Sequence, residues 1–288
     1  MKMVFRFSGI ALSLAYWGII SLWKTMPVEV AWGFCLFLLA TLGIPHGAAD
    51  HLVAQKLASR ANKSFGIFSF IGKYLLVMFL YGSLWYISPL ISFLLFIAIS
   101  VFHFGDLETS NQQNPHLSRI QYYLSLVRSM ILGTGILGFI LSQHAEEVSP
   151  ILQNFDLGVV ISLNALPMGF YILCILVGYQ KDHKTYFIHT AITLLIGIHL
   201  PILPAFMCYF AGCHAMYSLK ILSTSLETNL TTLYKRLIPF TCLALFMGII
   251  YVGFVSEEKW LAHAFIFLSI LTMPHFILMH QIIIKKPE

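Results

Sequence analysis

Ten stretches of this chain hold so few charges that each can lie as a helix across the hydrocarbon core of a bilayer, a crossing that takes about twenty apolar residues. They run from 7 to 23, 29 to 46, 66 to 87, 89 to 105, 119 to 141, 157 to 179, 186 to 200, 203 to 222, 237 to 255 and 261 to 283. In lipid, every backbone N–H and C=O must be satisfied within its own segment, which makes such spans helices. The expected fold class is an all-α integral membrane protein, a polytopic helical bundle of about ten transmembrane helices. Only 10% of the 288 residues are Asp, Glu, Lys or Arg, against roughly a quarter in a soluble domain. That figure excludes a soluble globule, a disordered chain, a coiled coil and a disulfide-rich secreted module.

The connections supply an independent check. With the N-terminus inside, thirteen Lys and Arg collect in the inner connections and only Lys24 and Lys259 in the outer ones, the bias expected of cytoplasmic loops. Both termini are therefore expected in the cytoplasm. Lys2 and Arg6 ahead of the first apolar stretch resemble a signal peptide, but no small-residue cleavage motif follows, so the stretch reads as a retained span. No linker or low-complexity tract divides the chain, and residues 1–288 read as a single transmembrane catalytic domain. The five cysteines lie inside apolar runs with no CxxC pair, as small hydrophobes do. The net charge of +5 follows from the same bias, and there is no phosphate loop, nucleophile elbow, HExxH or nucleic-acid motif.

Against this apolar background stand twelve histidines, as many as all the carboxylates together. An ionisable side chain within a bilayer is costly and by default faces the bundle interior. His116, His144 and His183 fall in loops and read as solvated imidazoles, while His189, His199 and His263 lie near span ends or isolated on apolar faces. The set His46, His103, His214 and His275 is different. Each belongs to an even-numbered span, all running from outside to inside, and each lies in the half of its span nearer the cytoplasm. Four imidazoles at similar depth on four helices of one direction can converge on one point. Neutral imidazole suits iron, copper, nickel or zinc.

A ligating histidine normally hands its other N–H to a carboxylate or carbonyl. Asp50 lies four residues after His46, and Asp106 three after His103, so a helical turn would bring each carboxylate beside its histidine. Asp50, in the small, close-packed GAADH, is favoured as such a support. Asp106 reads equally well as the start of a cytoplasmic loop. Pro45 and Pro274 precede two of the histidines and are expected to kink their helices. Phe102, Phe104, Tyr209, Phe210, Tyr217 and Phe276 lie next to the four, either lining a tunnel for a long apolar substrate or serving as ordinary core.

The residues from Gly43 to His51, GIPHGAADH, resemble the GxPHGxxDH signature of the Brp/Blh family, membrane-embedded β-carotene 15,15′-dioxygenases. Phe102-His103-Phe104-Gly105-Asp106 looks like that family's second element, Tyr209-Phe210 with His214 the third, and Pro274-His275 the fourth, in the same order along most of the chain. The resemblance implies an Fe(II) enzyme in the cytoplasmic membrane of a prokaryote. It adds O2 across the central double bond of β-carotene and releases two all-trans-retinal, the chromophore of microbial rhodopsins. It further implies His46, His103 and His214 as iron ligands, with His275 chosen as the fourth and Asp50, His51 and Asp106 in support. Some members carry a second histidine four residues after the third element's, where this chain has Ser218. Rival readings are a haem-binding membrane electron carrier, a membrane di-iron hydroxylase or desaturase, suggested by two HxxxxH stretches but lacking HH pairs, and a proton- or metal-coupled transporter.

Overall fold

Helices carry every apolar segment of the computed structural model, which describes residues 4–22, 27–109, 119–153, 166–179, 184–256 and 259–283. In chain order they are α1 (Val4–Leu22), α2 (Val28–Leu38), α3 (Ile44–Ala48), α4 (Asp50–Arg60), α5 (Ile67–Ile87), α6 (Pro89–Thr109), α7 (Arg119–Gln143) and α8 (Ala145–Gln153). There follow α9 (Met168–Gly178), α10 (Lys184–Gly197), α11 (Ile202–Tyr209), α12 (Met216–Ser225), α13 (Leu230–Gly253) and α14 (Trp260–Ile283). Among the described residues, two π-helical turns interrupt the pattern, Leu39–Gly43 between α2 and α3 and Phe210–Ala215 between α11 and α12. They make Val28–Arg60 and Ile202–Ser225 continuous helical segments.

Among the described residues, seven helical segments are long and apolar enough to cross a membrane. The other three expected spans correspond to α1, α9 and α10, whose described stretches are shorter; residues 157–165 of the sixth lie outside the described residues. The outer faces carry bare apolar side chains, among them Phe79 on α5 and Phe246 and Ile249 on α13. Such a surface is stable where the solvent is itself apolar.

Inside, small residues set the helix spacing, as they must where lipid removes the hydrophobic drive for helices to associate. A Cβ on Gly105 of α6 would overlap the Ser129 carbonyl on α7, and one on Gly133 of α7 would overlap the Val101 carbonyl on α6. The same helix α7 meets α9 through Gly135, Gly138 and Gly178, against Ile175, Tyr171 and Leu132. These contacts bring α6, the carrier of His103, against the centre of the bundle.

Several histidines find partners here that their positions in the sequence did not suggest. His144 is buried rather than solvated: its ring nitrogens lie 2.7 Å from the Ile140 carbonyl oxygen and 2.9 Å from that of Leu200. It thereby ties the end of α7 to the turn between α10 and α11. His189 packs its ring on Phe7, and His263 pairs with the Tyr251 hydroxyl at 3.0 Å. His116 and His183 lie outside the described residues.

The glycine contact yields a direct test. Gly133→Ala is expected to destabilise the protein by about 1–3 kcal/mol, the usual cost of overpacking, read as a lower thermal midpoint in detergent. Gly72→Ala on α5, where nothing lies within 4 Å, is expected to leave the midpoint unchanged or slightly raised.

Candidate metal centre

Two of the four membrane-depth histidines owe their positions to the π turns. His46 follows the turn Leu39–Gly43 directly, on α3, and His214 lies within the turn Phe210–Ala215. A π turn widens the helix and leaves backbone groups out of register, a feature frequent at functional sites. Pro45 stands in the first turn of α3, where a missing N–H is tolerated. The wide turn at 210–215 is steadied from α1, where Ser8 donates its hydroxyl to the Gly212 carbonyl. A Cβ on Gly212 would lie 2.6 Å from the Gly9 Cα, so α1 can seat there only because both residues are glycine. His103 projects from α6, and His275 from α14 just after the internal Pro274.

The four rings meet. Ring centroids of His46 lie 4.6 Å from His275, 5.3 Å from His214 and 6.0 Å from His103. His103 is 4.9 Å from His214 and 5.0 Å from His275. Candidate ligand nitrogens of His46, His103 and His275 all lie within 4.8 Å of one another, and the Nε2 atoms of His103 and His214 are 3.3 Å apart. At most 8% of any of these residues is exposed.

Satisfaction of these nitrogens is the decisive question, since an unpartnered buried polar atom costs about 1–3 kcal/mol. Among the described residues, both nitrogens of His46, Nδ1 of His214 and Nε2 of His275 have no hydrogen-bond partner. Two Nε2 lone pairs facing each other across 3.3 Å also require a proton or a cation between them. A set of neutral, buried, convergent nitrogens with open lone pairs fits a divalent transition metal, and His46, His103 and His275 could hold one. Spacings of 4.6 to 6.0 Å suit an ion.

Of the three supporting residues expected from sequence, one meets the cluster. The Asp50 carboxylate accepts a hydrogen bond from His275 Nδ1 at 2.7 Å, not from the nearby His46. The reason is geometric: Asp50 starts α4 after a bend at Ala49, so its side chain crosses to α14. His51 bonds its own turn, Nδ1 to the Ala48 carbonyl at 2.9 Å, and stacks on Phe240. Asp106 is buried on α6, and no hydrogen bond joins it to His103 among the described residues. Ser218 is fully buried one turn beyond His214, its hydroxyl without a partner.

A cavity of about 540 Å³ opens onto the cluster, with His46, His103 and His275 in its wall. Away from the histidines its lining is almost wholly apolar, including Met78 of α5, Ile97 of α6, Leu152 of α8 and Phe265 of α14. Such a space stays dry and suits a hydrocarbon. Phe104 and Phe210, expected near a tunnel, do line it. The other four aromatic residues do not: Phe102 packs edge-on against Phe276, Tyr217 stacks on Tyr186, and Tyr209 is buried against Phe104. Adjacency in sequence to a histidine does not decide which way a helical neighbour points, because successive residues diverge by about 100°. Sequence reasoning missed the walls from α5, α13 and α14, whose residues are unremarkable in apolar spans. It missed Tyr74 as well, a cavity-lining residue whose hydroxyl donates to Asp50 Oδ2 at 2.9 Å.

The bundle thus sets buried imidazoles that could hold a metal at one end of a cavity with an almost wholly apolar lining. The profile of the beta-carotene 15,15′-dioxygenase family matches residues 37–282, and the chain belongs to that family. A relative named beta-carotene 15,15′-dioxygenase, from the uncultured marine bacterium 66A03, is 24% identical over 258 residues, covering 84% of this chain and 90% of the relative. No solved structure matches.

Metal binding to the folded cluster must stabilise the fold by linkage, about 2.7 kcal/mol when the free metal exceeds its dissociation constant a hundredfold. Addition of Co(II) to chelator-stripped protein is therefore expected to raise the thermal midpoint by several degrees. In His103→Ala the rise is expected to vanish.

Proposed function

We propose that this protein is a membrane-embedded, non-haem Fe(II) dioxygenase that cleaves the central 15,15′ double bond of β-carotene with O2, giving two molecules of all-trans-retinal. The observation that carries the proposal is a cluster of four buried histidines, three of which line an apolar cavity, in a chain of this family. His46, His103, His214 and His275 would hold the iron, with Asp50 orienting His275. Four neutral ligands leave the ion its full charge and favour the ferrous state among O2-reactive metals. Bound Fe(II) supplies the capacity to activate O2, which neither a hydrocarbon nor an imidazole possesses.

The reaction balances without a reductant. Both atoms of O2 are consumed, the C15=C15′ bond is lost, and two aldehyde C=O bonds form. The residues of the chain then have three tasks. The histidines hold their nitrogens convergent without water. The apolar walls from α5, α6, α13 and α14 seat a polyene that offers no polar handle, so that shape alone sets which double bond reaches the cluster. The dry surroundings protect reactive species from hydrolysis and proton leakage. Substrate and products are lipid-soluble, in keeping with a cytoplasmic membrane of a prokaryote, about ten spans and both termini inside. Retinal released there is available to a retinal-binding rhodopsin in the same bilayer.

Expression in a bacterial host that accumulates β-carotene tests the proposal. Bleaching of the orange cells and retinal in the extract are expected. Persistent colour, with the protein present in the membrane and iron supplied, would refute it. Alanine at His46, His103, His214 or His275 is expected to lower cleavage at least a hundredfold and to reduce bound iron.

A further inference from the structure

Tyr74 is the eighth of the 21 residues of α5, directly after Lys73 in a span that is otherwise largely apolar, and faces the cavity beside Asp50 and His275. Its O–H donates to Asp50 Oδ2 at 2.9 Å, while Asp50 Oδ1 accepts from His275 Nδ1 at 2.7 Å. The Leu271 carbonyl of α14 lies 3.5 Å from the same hydroxyl, at the outer limit of a hydrogen bond. Three helices, α4, α5 and α14, are thus joined through one carboxylate.

We propose that Tyr74 is a positioning residue of the histidine centre, holding the Asp50 carboxylate so that it fixes the ring orientation and tautomer of His275. The inference rests on reading the cluster as a metal site. A carboxylate accepts at both oxygens, so His275 Nδ1 is the donor and Nε2, which has no other partner, keeps its lone pair for the cluster. One bond to Oδ1 would leave Asp50 free to turn about its Cβ–Cγ axis. The second bond, from a different helix, removes that freedom. It also satisfies a carboxylate oxygen on a residue that is 3% exposed in an apolar wall, the other oxygen accepting from His275. Without the hydroxyl, Oδ2 would face the cavity unsatisfied and the carboxylate would be free to rotate, which weakens its hold on His275.

The test reads metal affinity rather than turnover. Purified, metal-stripped protein is titrated with Co(II) against a chelator, and the visible absorption of bound Co(II) is followed. Tyr74→Phe keeps the ring and deletes one oxygen. It is expected to weaken Co(II) binding about tenfold, the low end of the range for groups that support metal ligands, and to alter the Co(II) spectrum. In an Asp50→Asn background the same change is expected to cost less than twofold, because the tyrosine acts through the carboxylate. Unchanged affinity of Tyr74→Phe overturns the inference. So does a tenfold loss in both backgrounds, and so does failure of Tyr74→Phe to reach the membrane, which would make the residue structural. If the native protein binds no Co(II), the metal reading itself falls. If Co(II) binding behaves as expected but no retinal is made, only the carotene reading falls.

Discussion

Four imidazoles held together where water is excluded constrain everything else in this molecule. Each ring brings nitrogens that need partners, and the surrounding helices have spent their own backbone donors on one another, as a lipid solvent requires. Its lone pairs call for a proton or a cation, and its N–H groups for acceptors. The unusual local features can be understood from this requirement. The π turns at 39–43 and 210–215, the prolines before His46 and His275, and the Gly105–Gly133 crossing each adjust a helix near one of the four rings. Elsewhere in the bundle, ordinary apolar packing suffices.

The cavity obeys the same constraint from the other side. Its polar groups, Asp50 and Tyr74 among them, cluster by the histidines, and the rest of its wall offers only hydrocarbon. A ligand gains nothing there from hydrogen bonds. Binding must come from the apolar surface removed from lipid-like contacts and from fit, which makes shape the main source of selectivity. The family to which the chain belongs takes its name from a substrate of that character, and the match extends over nearly all of the helices that build the cavity.

Much of this was legible in the sequence, and for identifiable reasons. Helices in lipid announce themselves as apolar runs, so α5, α6, α7 and α14 lie within a few residues of the expected spans. Depth and direction of the spans were enough to single out His46, His103, His214 and His275 from twelve. What the sequence did not reveal depends on rotation about a helix axis or on contacts between distant segments. Asp50 pairs with a histidine 225 residues away and not with the one four residues before it. Asp106, three residues after His103, makes no such bond among the described residues. Tyr74 is one tyrosine among thirteen, and only the approach of α4 to α5 distinguishes it. His144 looked like a loop residue because the carbonyl that buries it, that of Leu200, belongs to another part of the chain.

The π turns carry a consequence for evolution. A π turn is an α-helix that has gained a residue, and each residue turns the chain by about 100°. A wide turn takes up the extra residue locally, so at 39–43 and 210–215 the spacing between a histidine and the helix before it can differ by one residue while the helix faces on either side keep their register.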